Sequence, residues 1–233
     1  MILEKNKHII RDMFNDISPH YDFLNHVLSF GMDIFWRIKL VRSMAINSNE
    51  TILDAACGTG DLSCQFLKLH KKRNPNLVAL DISPGMLQLA QKKTGNHNIR
   101  IVEGDVENLC FDTGTFDHVM IAFGIRNIEN PDKGLQEMNR VLKPGGSLNI
   151  LEFTIPQTFP MKVIFPFYFN KVLPFLGKVI SGHVSAYTYL PESVNDFPRP
   201  KSFIDMLSKA GFSVIRANPL SGGICFMYQA LKI

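Results

Sequence analysis

The chain has 233 residues, 45% hydrophobic and 20% charged, which supplies a core for one compact unit and leaves too little length for two large domains. Its formal net charge of +4 comes from scattered Lys and Arg, which argues against nucleic acid as a partner and leaves peripheral contact with an anionic membrane surface open. Cys57, Cys64, Cys110 and Cys225 form no Cys-x-x-Cys pair, and the first eight residues lack the apolar run of a signal peptide; both fit reduced thiols and a cytoplasmic location.

Between Lys5 and Ile17 the residues Ile9, Ile10, Met13, Phe14 and Ile17 recur at helical spacing, which predicts an amphipathic helix inside a helical lead-in over residues 5–46. Four apolar runs follow, at 51–54, 77–81, 99–103 and 116–121, each trailed by a helical or turn segment. That alternation predicts a parallel sheet with crossover helices. A helix over 131–142 is expected to stop at Lys143-Pro144-Gly145-Gly146, which turns the chain into a fifth strand, Ser147 to Phe153, and closes a core over 51–153.

Residues 154–201 read differently. Phe159 to Ile180 is strongly apolar but broken by Pro160, Pro166 and Pro174 and punctuated by Lys162, Lys171 and Lys178, so it does not suit a span of about 20 continuous apolar residues and reads as a cap. Residues 202–233 predict a helix over 202–210 and strands at 212–217 and 224–231, a terminal hairpin at the sheet edge.

Asp54-Ala55-Ala56-Cys57-Gly58-Thr59-Gly60-Asp61 carries the most information. A first strand ends on an acid, passes a Gly-rich turn and enters a helix, so Gly58 and Gly60 let the backbone approach a ligand. The third glycine of a dinucleotide motif is missing, and Asp61 sits where a pyrophosphate would lie. The pattern therefore favours a cofactor without phosphates over NAD. Asp61 reads equally as a ligand or as a favourable first-turn acid. Asp81 closes the second strand, where an acid accepts hydrogen bonds from ribose hydroxyls. Asp105 follows the third strand and reaches the same sheet edge, as an adenine contact or a turn acid.

Taken in order, the Asp-x-x-x-Gly-x-Gly turn, Asp81, Asp105 and the Leu142-Lys-Pro-Gly-Gly turn resemble class I methyltransferases. Further segments resemble the quinone-biosynthesis C-methyltransferases that act on demethylmenaquinone and on a ubiquinone precursor: Tyr21-Asp22-Phe23-Leu24-Asn25 to Gly31 with Trp36-Arg37, Ala122-Phe123-Gly124-Ile125-Arg126-Asn127-Ile128, Tyr189 to Val194, and Ala210-Gly211-Phe212 with Gly222-Gly223-Ile224. The resemblance spans nearly the whole chain. It implies a Rossmann-like α/β fold with a mostly parallel seven-stranded sheet and an antiparallel edge strand. It implies S-adenosyl-L-methionine held at Asp54, Gly58, Thr59, Gly60, Asp81, Asp105, Val106 and position 122. Ala122 stands where the family often has Ser, and Cys225 to Gln229 departs from the family's usual strand.

The reaction so implied is C-methylation of a prenylated quinol, by in-line displacement from a sulfonium that needs alignment and electrostatics and no metal. Arg126 is the expected stabiliser of the ring oxyanion, ordering a water that Asn127 and Tyr21 position. The competing readings are an ion pair of Arg126 with Asp117 or Glu152, and a core role for Tyr21. Phe159, Phe165, Phe167, Phe169 and Phe175 line either a channel for the prenyl tail or an ordinary lid. A methyltransferase for another phenolic or sterol acceptor, a noncatalytic scaffold in a quinone-synthesis assembly, and a homodimer through the hairpin or the cap are the open alternatives.

Overall fold

In the computed structural model, residues 6–95, 99–172 and 184–233 are described. Two helices, α1 (Lys7–Leu28) and α2 (Met32–Ser43), precede β1 (Thr51–Ala55). Then come α3 (Asp61–His70), β2 (Asn76–Asp81), α4 (Pro84–Thr94), β3 (Ile99–Glu103), β4 (Phe116–Ala122), α5 (Pro131–Val141) and β5 (Leu142–Phe153). The cap contributes α6 (Met161–Phe167) and α7 (Val184–Asp196), and α8 (Pro200–Lys209), β6 (Phe212–Leu220) and β7 (Cys225–Lys232) finish the chain.

The seven strands form one sheet in the order β3-β2-β1-β4-β5-β7-β6. Pairings from β3 to β5 are parallel, and the β6–β7 hairpin supplies the antiparallel ones. Ile52 to Ala55 of β1 are all buried, as a central parallel strand covered on both faces requires. One core layer packs Phe116, Leu135, Met138, Phe203 and Tyr228 on one face; the other packs Trp36, Leu40, Phe66, Met120 and Leu151 on the opposite face. Strand order reverses between β1 and β4, which opens a crevice at the carboxyl ends of the strands.

Local chemistry accounts for several element boundaries. Ser83 and Asn130 cap α4 and α5, each followed by a proline in the first turn, where its missing N–H costs nothing. Helix α1 runs well past the predicted Ile17. Pro19 cannot donate to the Asn15 carbonyl, and the Ser18 hydroxyl donates to it instead, at 2.9 Å, so the helix passes the break. Strand β5 starts at Leu142, earlier than expected. The Lys143–Gly146 stretch is taken up as an irregularity between the Phe116–Leu142 and His118–Ser147 pairs rather than as a turn before the strand.

Candidate active site

A cavity at the carboxyl ends of β1 to β4 is walled by Asp54, Gly58, Thr59, Asp81, Asp105, Val106 and Ala122, with Ile10, Phe14 and Tyr21 of α1 over it. The Gly58 N–H donates to Asp81 Oδ2 at 2.8 Å and the Ser83 N–H to Oδ1 at 2.9 Å, which fixes the Asp81 carboxylate beside the turn. No cation among the described residues offsets it, and burial holds its pKa above the ordinary carboxylate range. Asp54 is more extreme. Ser63 donates to its Oδ2 at 2.6 Å, while Oδ1 is buried with no hydrogen-bond partner among the described residues. Burial, with Asp81 nearby, pushes its pKa up to about 7 against the pull of Arg37.

Two predicted ligands are held by neighbouring elements. Asp105 accepts from Lys7 Nζ at 3.0 Å and from the Glu107 N–H at 2.9 Å. The Thr59 hydroxyl donates to Asp22 of α1 at 2.5 Å and lies 3.0 Å from Lys93 Nζ. Gly60, the second glycine of the predicted set, does not line this cavity. It stands behind the wall rather than on it, and its left-handed φ of +82° and a virtual Cβ 3.2 Å from Ala90 show that it lets α3 start against α4. Asp61 is a first-turn acid engaged by Lys93 at 2.5 Å, outside the cavity.

A second, more apolar chamber of about 330 Å³ adjoins the first. Phe14, Tyr21, Arg37 and Phe123 belong to both walls. The far side is built from Trp36, Phe153, Phe165, Tyr168 and Phe169, while Phe159 and Phe167 of the predicted channel are exposed and Phe175 lies outside the described residues. Phe123 and Phe153 lie 4.6 Å apart, with the Arg37 guanidinium 5.3 Å from the first ring and that of Arg126 5.4 Å from the second.

Arg126 lines this chamber and is ion-paired at 2.9 Å with Glu152, a fully buried acid of β5. Its Nη1 also donates to the Phe123 carbonyl, and its Nε to Ser193 at 3.3 Å. Asp117 is not its partner: Lys143 takes both Asp117 oxygens at 2.8 Å, at the opposite end of the sheet. Tyr21 faces both cavities; burial raises its pKa, opposed by Arg126 and Arg37. Asn127 shares a short turn with Arg126 but faces the first cavity. Its amide donates to the Phe123 carbonyl at 3.3 Å and its Oδ1 accepts from Tyr189 at 3.1 Å. The structure therefore brings Arg126 and Tyr21 together and sends Asn127 to the other wall.

Arg37, Tyr189 and Ser193 were not singled out from the sequence, whereas Glu152 was one of the two acids named as an ion-pair partner for Arg126, and the structure selects it over Asp117. The Trp36-Arg37 pair and the Tyr189 to Val194 segment carried the signal, without saying which side chain turns inward. His26, Asp33 and Asp61 also come within 4.8 Å of one another, but Arg37 and Lys93 already neutralise those carboxylates.

A crevice at the strand-order reversal, a glycine turn after β1 and acids at the ends of β1, β2 and β3 define an S-adenosylmethionine-dependent methyltransferase of the Rossmann-like class. Solved structures agree on the fold. A SAM-dependent methyltransferase from Aquifex aeolicus superimposes with a TM-score of 0.64 at 20% identity, covering 87% of this chain and 92% of that one. The cyclase SpnF gives 0.70 at 15% identity, with coverages of 96% and 95%. The chain belongs to the ubiE/COQ5 methyltransferase family, whose description it matches over residues 1–232. It is 42% identical to the demethylmenaquinone methyltransferase of Bacteroides fragilis, over 98% of this chain and 94% of that one. It is 41% identical to the ubiquinone/menaquinone biosynthesis C-methyltransferase UbiE of a Geobacter species, with 96% of each covered.

Proposed function

We propose that this methyltransferase moves the methyl group of S-adenosylmethionine to a ring carbon of a reduced polyprenyl quinone, demethylmenaquinol to menaquinol. The observation that carries the reading is the pair of adjoining cavities, one polar with unpaired acids and one apolar with a buried arginine, sharing a wall at Tyr21, Arg37 and Phe123. The same chemistry extends to a ubiquinone precursor.

The cofactor suits the first cavity on its donor set. The unpartnered Asp54 Oδ1 and the Arg37 cation match the ammonium and carboxylate of a methionine end, Asp81 suits ribose hydroxyls, and Asp105 with Val106 suits an adenine edge. Bound there, it supplies an electrophilic methyl group. The chain's own work is then to hold the ring and favour the phenolate.

In this reading Phe123 and Phe153 offer a face for a flat ring, and Arg126 holds positive charge beside the ring oxygen without serving as a base. Glu152 fixes the guanidinium so that little reorganisation accompanies the reaction. Tyr21 orients the hydroxyl or a water at the shared wall, and Asn127 braces the cofactor side. The apolar remainder accepts the start of the prenyl tail. A tail that lives in lipid makes peripheral membrane contact part of this reading.

The test is transfer from labelled S-adenosylmethionine to chemically reduced demethylmenaquinone in detergent. Labelled menaquinol from the wild-type protein is expected. Cofactor binding with no product on either quinone class would overturn the acceptor.

A further inference from the structure

The mouth of the apolar chamber bears on where the acceptor comes from. Phe30, in the α1–α2 turn, and Ile164, on α6, line the chamber and yet are 81% and 53% exposed, so they form its lip. The two sides of the lip touch: Phe30 and Tyr168 rings lie 6.0 Å apart, and the Tyr168 hydroxyl donates to the Leu28 carbonyl at 2.7 Å. On α6, Val163 and Phe167 stand one helical turn apart and are 59% and 67% exposed. Large exposed apolar side chains grouped in this way mark an interaction surface.

Charge narrows the choice of partner. Residues 153–191 contain no Asp or Glu, and 23–32 contain none either, whereas Lys162 and Lys171 stand exposed on the α6 side. A partner that is apolar below and anionic above fits this surface, as a bilayer does. The apolar surface is also continuous with the chamber, which a soluble partner would close.

We propose that the protein docks reversibly on an anionic lipid bilayer through this rim, with Phe30, Val163, Ile164 and Phe167 in the acyl boundary and Lys162 and Lys171 at the headgroups. The chamber then opens toward the lipid, so that a ring can be drawn in while its tail stays behind. The proposal takes from the preceding reading only the apolar tail of the acceptor. No helix among the described residues is long and apolar enough to cross a membrane, and the attachment proposed is interfacial.

The experiment is sedimentation of the full chain with vesicles of phosphatidylcholine containing phosphatidylglycerol, and with pure phosphatidylcholine. Wild type is expected to sediment with the anionic vesicles and to be released by salt. Val163→Ser combined with Phe167→Ser, and separately Lys162→Glu combined with Lys171→Glu, should each weaken binding about tenfold. Heat unfolding and binding of S-adenosylhomocysteine in solution identify a variant that has lost its fold; the lysine pair, being wholly superficial, serves if the apolar pair has.

A wild-type protein that stays in the supernatant overturns the proposal. So do variants that sediment as wild type does, and so does a dimer in solution that the serine variant splits while neither form binds vesicles. Vesicle binding without methyl transfer would uphold this surface and sink the acceptor, whereas transfer in detergent without vesicle binding would do the reverse.

Discussion

Two acids at one end of the sheet and two at the other are treated in opposite ways. At the amino end, Asp117 is clasped by Lys143 and by the Thr51 N–H, and Glu50 by Asn47 and His118; their hydrogen bonds and neighbouring cations outweigh burial and hold both carboxyls below the ordinary range. At the carboxyl end, Asp54 and Asp81 are more deeply buried and have no such cation in contact, and burial drives both upward. At the same edge Asp105 and Glu152 are paired with Lys7 and Arg126; Asp54 and Asp81, left without such a partner among the described residues, are acids that the proposed reading assigns to the cofactor.

Removing Arg126 tests the carboxyl end most severely. Arg126→Ala should lower turnover on the order of 10²–10³-fold, the scale of a lost oxyanion donor, while S-adenosylhomocysteine binds as to wild type. Equal losses in turnover and cofactor binding would mean that the residue only supports the site. Glu152→Ala leaves Arg126 buried without its partner and should cost about 3–5 kcal/mol in urea unfolding. A much smaller loss would mean that the pair is loosely held.

Asp54→Asn reverses the usual sign. The folded pKa of Asp54 lies near 7, above the ordinary 3.8, so the native state holds the proton more tightly than the unfolded one. Its penalty is absent below about 4, grows as pH rises and is complete above about 7, at about 1.4 kcal/mol per pH unit between. The empty Asp54→Asn protein should therefore be more stable than wild type at pH 8, by a few kcal/mol, and nearly equal to it at pH 4. Cofactor affinity should move the other way: it should rise with pH through 7 in wild type, and it should be about tenfold weaker and flat in the variant. A variant less stable at pH 8 would break the contrast between the two ends.

Lys143→Ala, at the amino end, should matter least. Its partly exposed pair with Asp117 is worth about 1 kcal/mol or less, present at neutral pH and lost as Asp117 is protonated in acid. Methyl transfer should not change. An effect on turnover would join the two ends in a way that the structure gives no reason to expect.

The sheet was largely legible in the sequence because strands β1 to β4 couple an apolar run to a turn signal, and because Asp54, Asp81 and Asp105 fall at strand ends. The unbroken run of α1 through Pro19 was not, since a proline reads as a stop unless the Ser18 hydroxyl is known to serve the freed carbonyl. In the site, motif spacing located many of the residues that line the first cavity. It could not separate Gly58, which faces the cavity, from Gly60, which packs on Ala90. Nor could it reveal that neighbours Arg126 and Asn127 turn to different cavities, or which of Asp117 and Glu152 Arg126 takes as its acid. Those facts depend on which elements meet across the sheet, and the local pattern does not encode them.

The wall common to the two cavities consists of a few side chains, Phe14, Tyr21, Arg37 and Phe123. If the two cavities hold cofactor and acceptor as proposed, a single molecule that joined an adenosyl group to a hydroxynaphthyl ring through a short linker would occupy both spaces at once. It would gain the effective concentration of its second half from the binding of the first. Such a compound would select for proteins in which these compartments share a wall, and it would be indifferent to those that have only the fold.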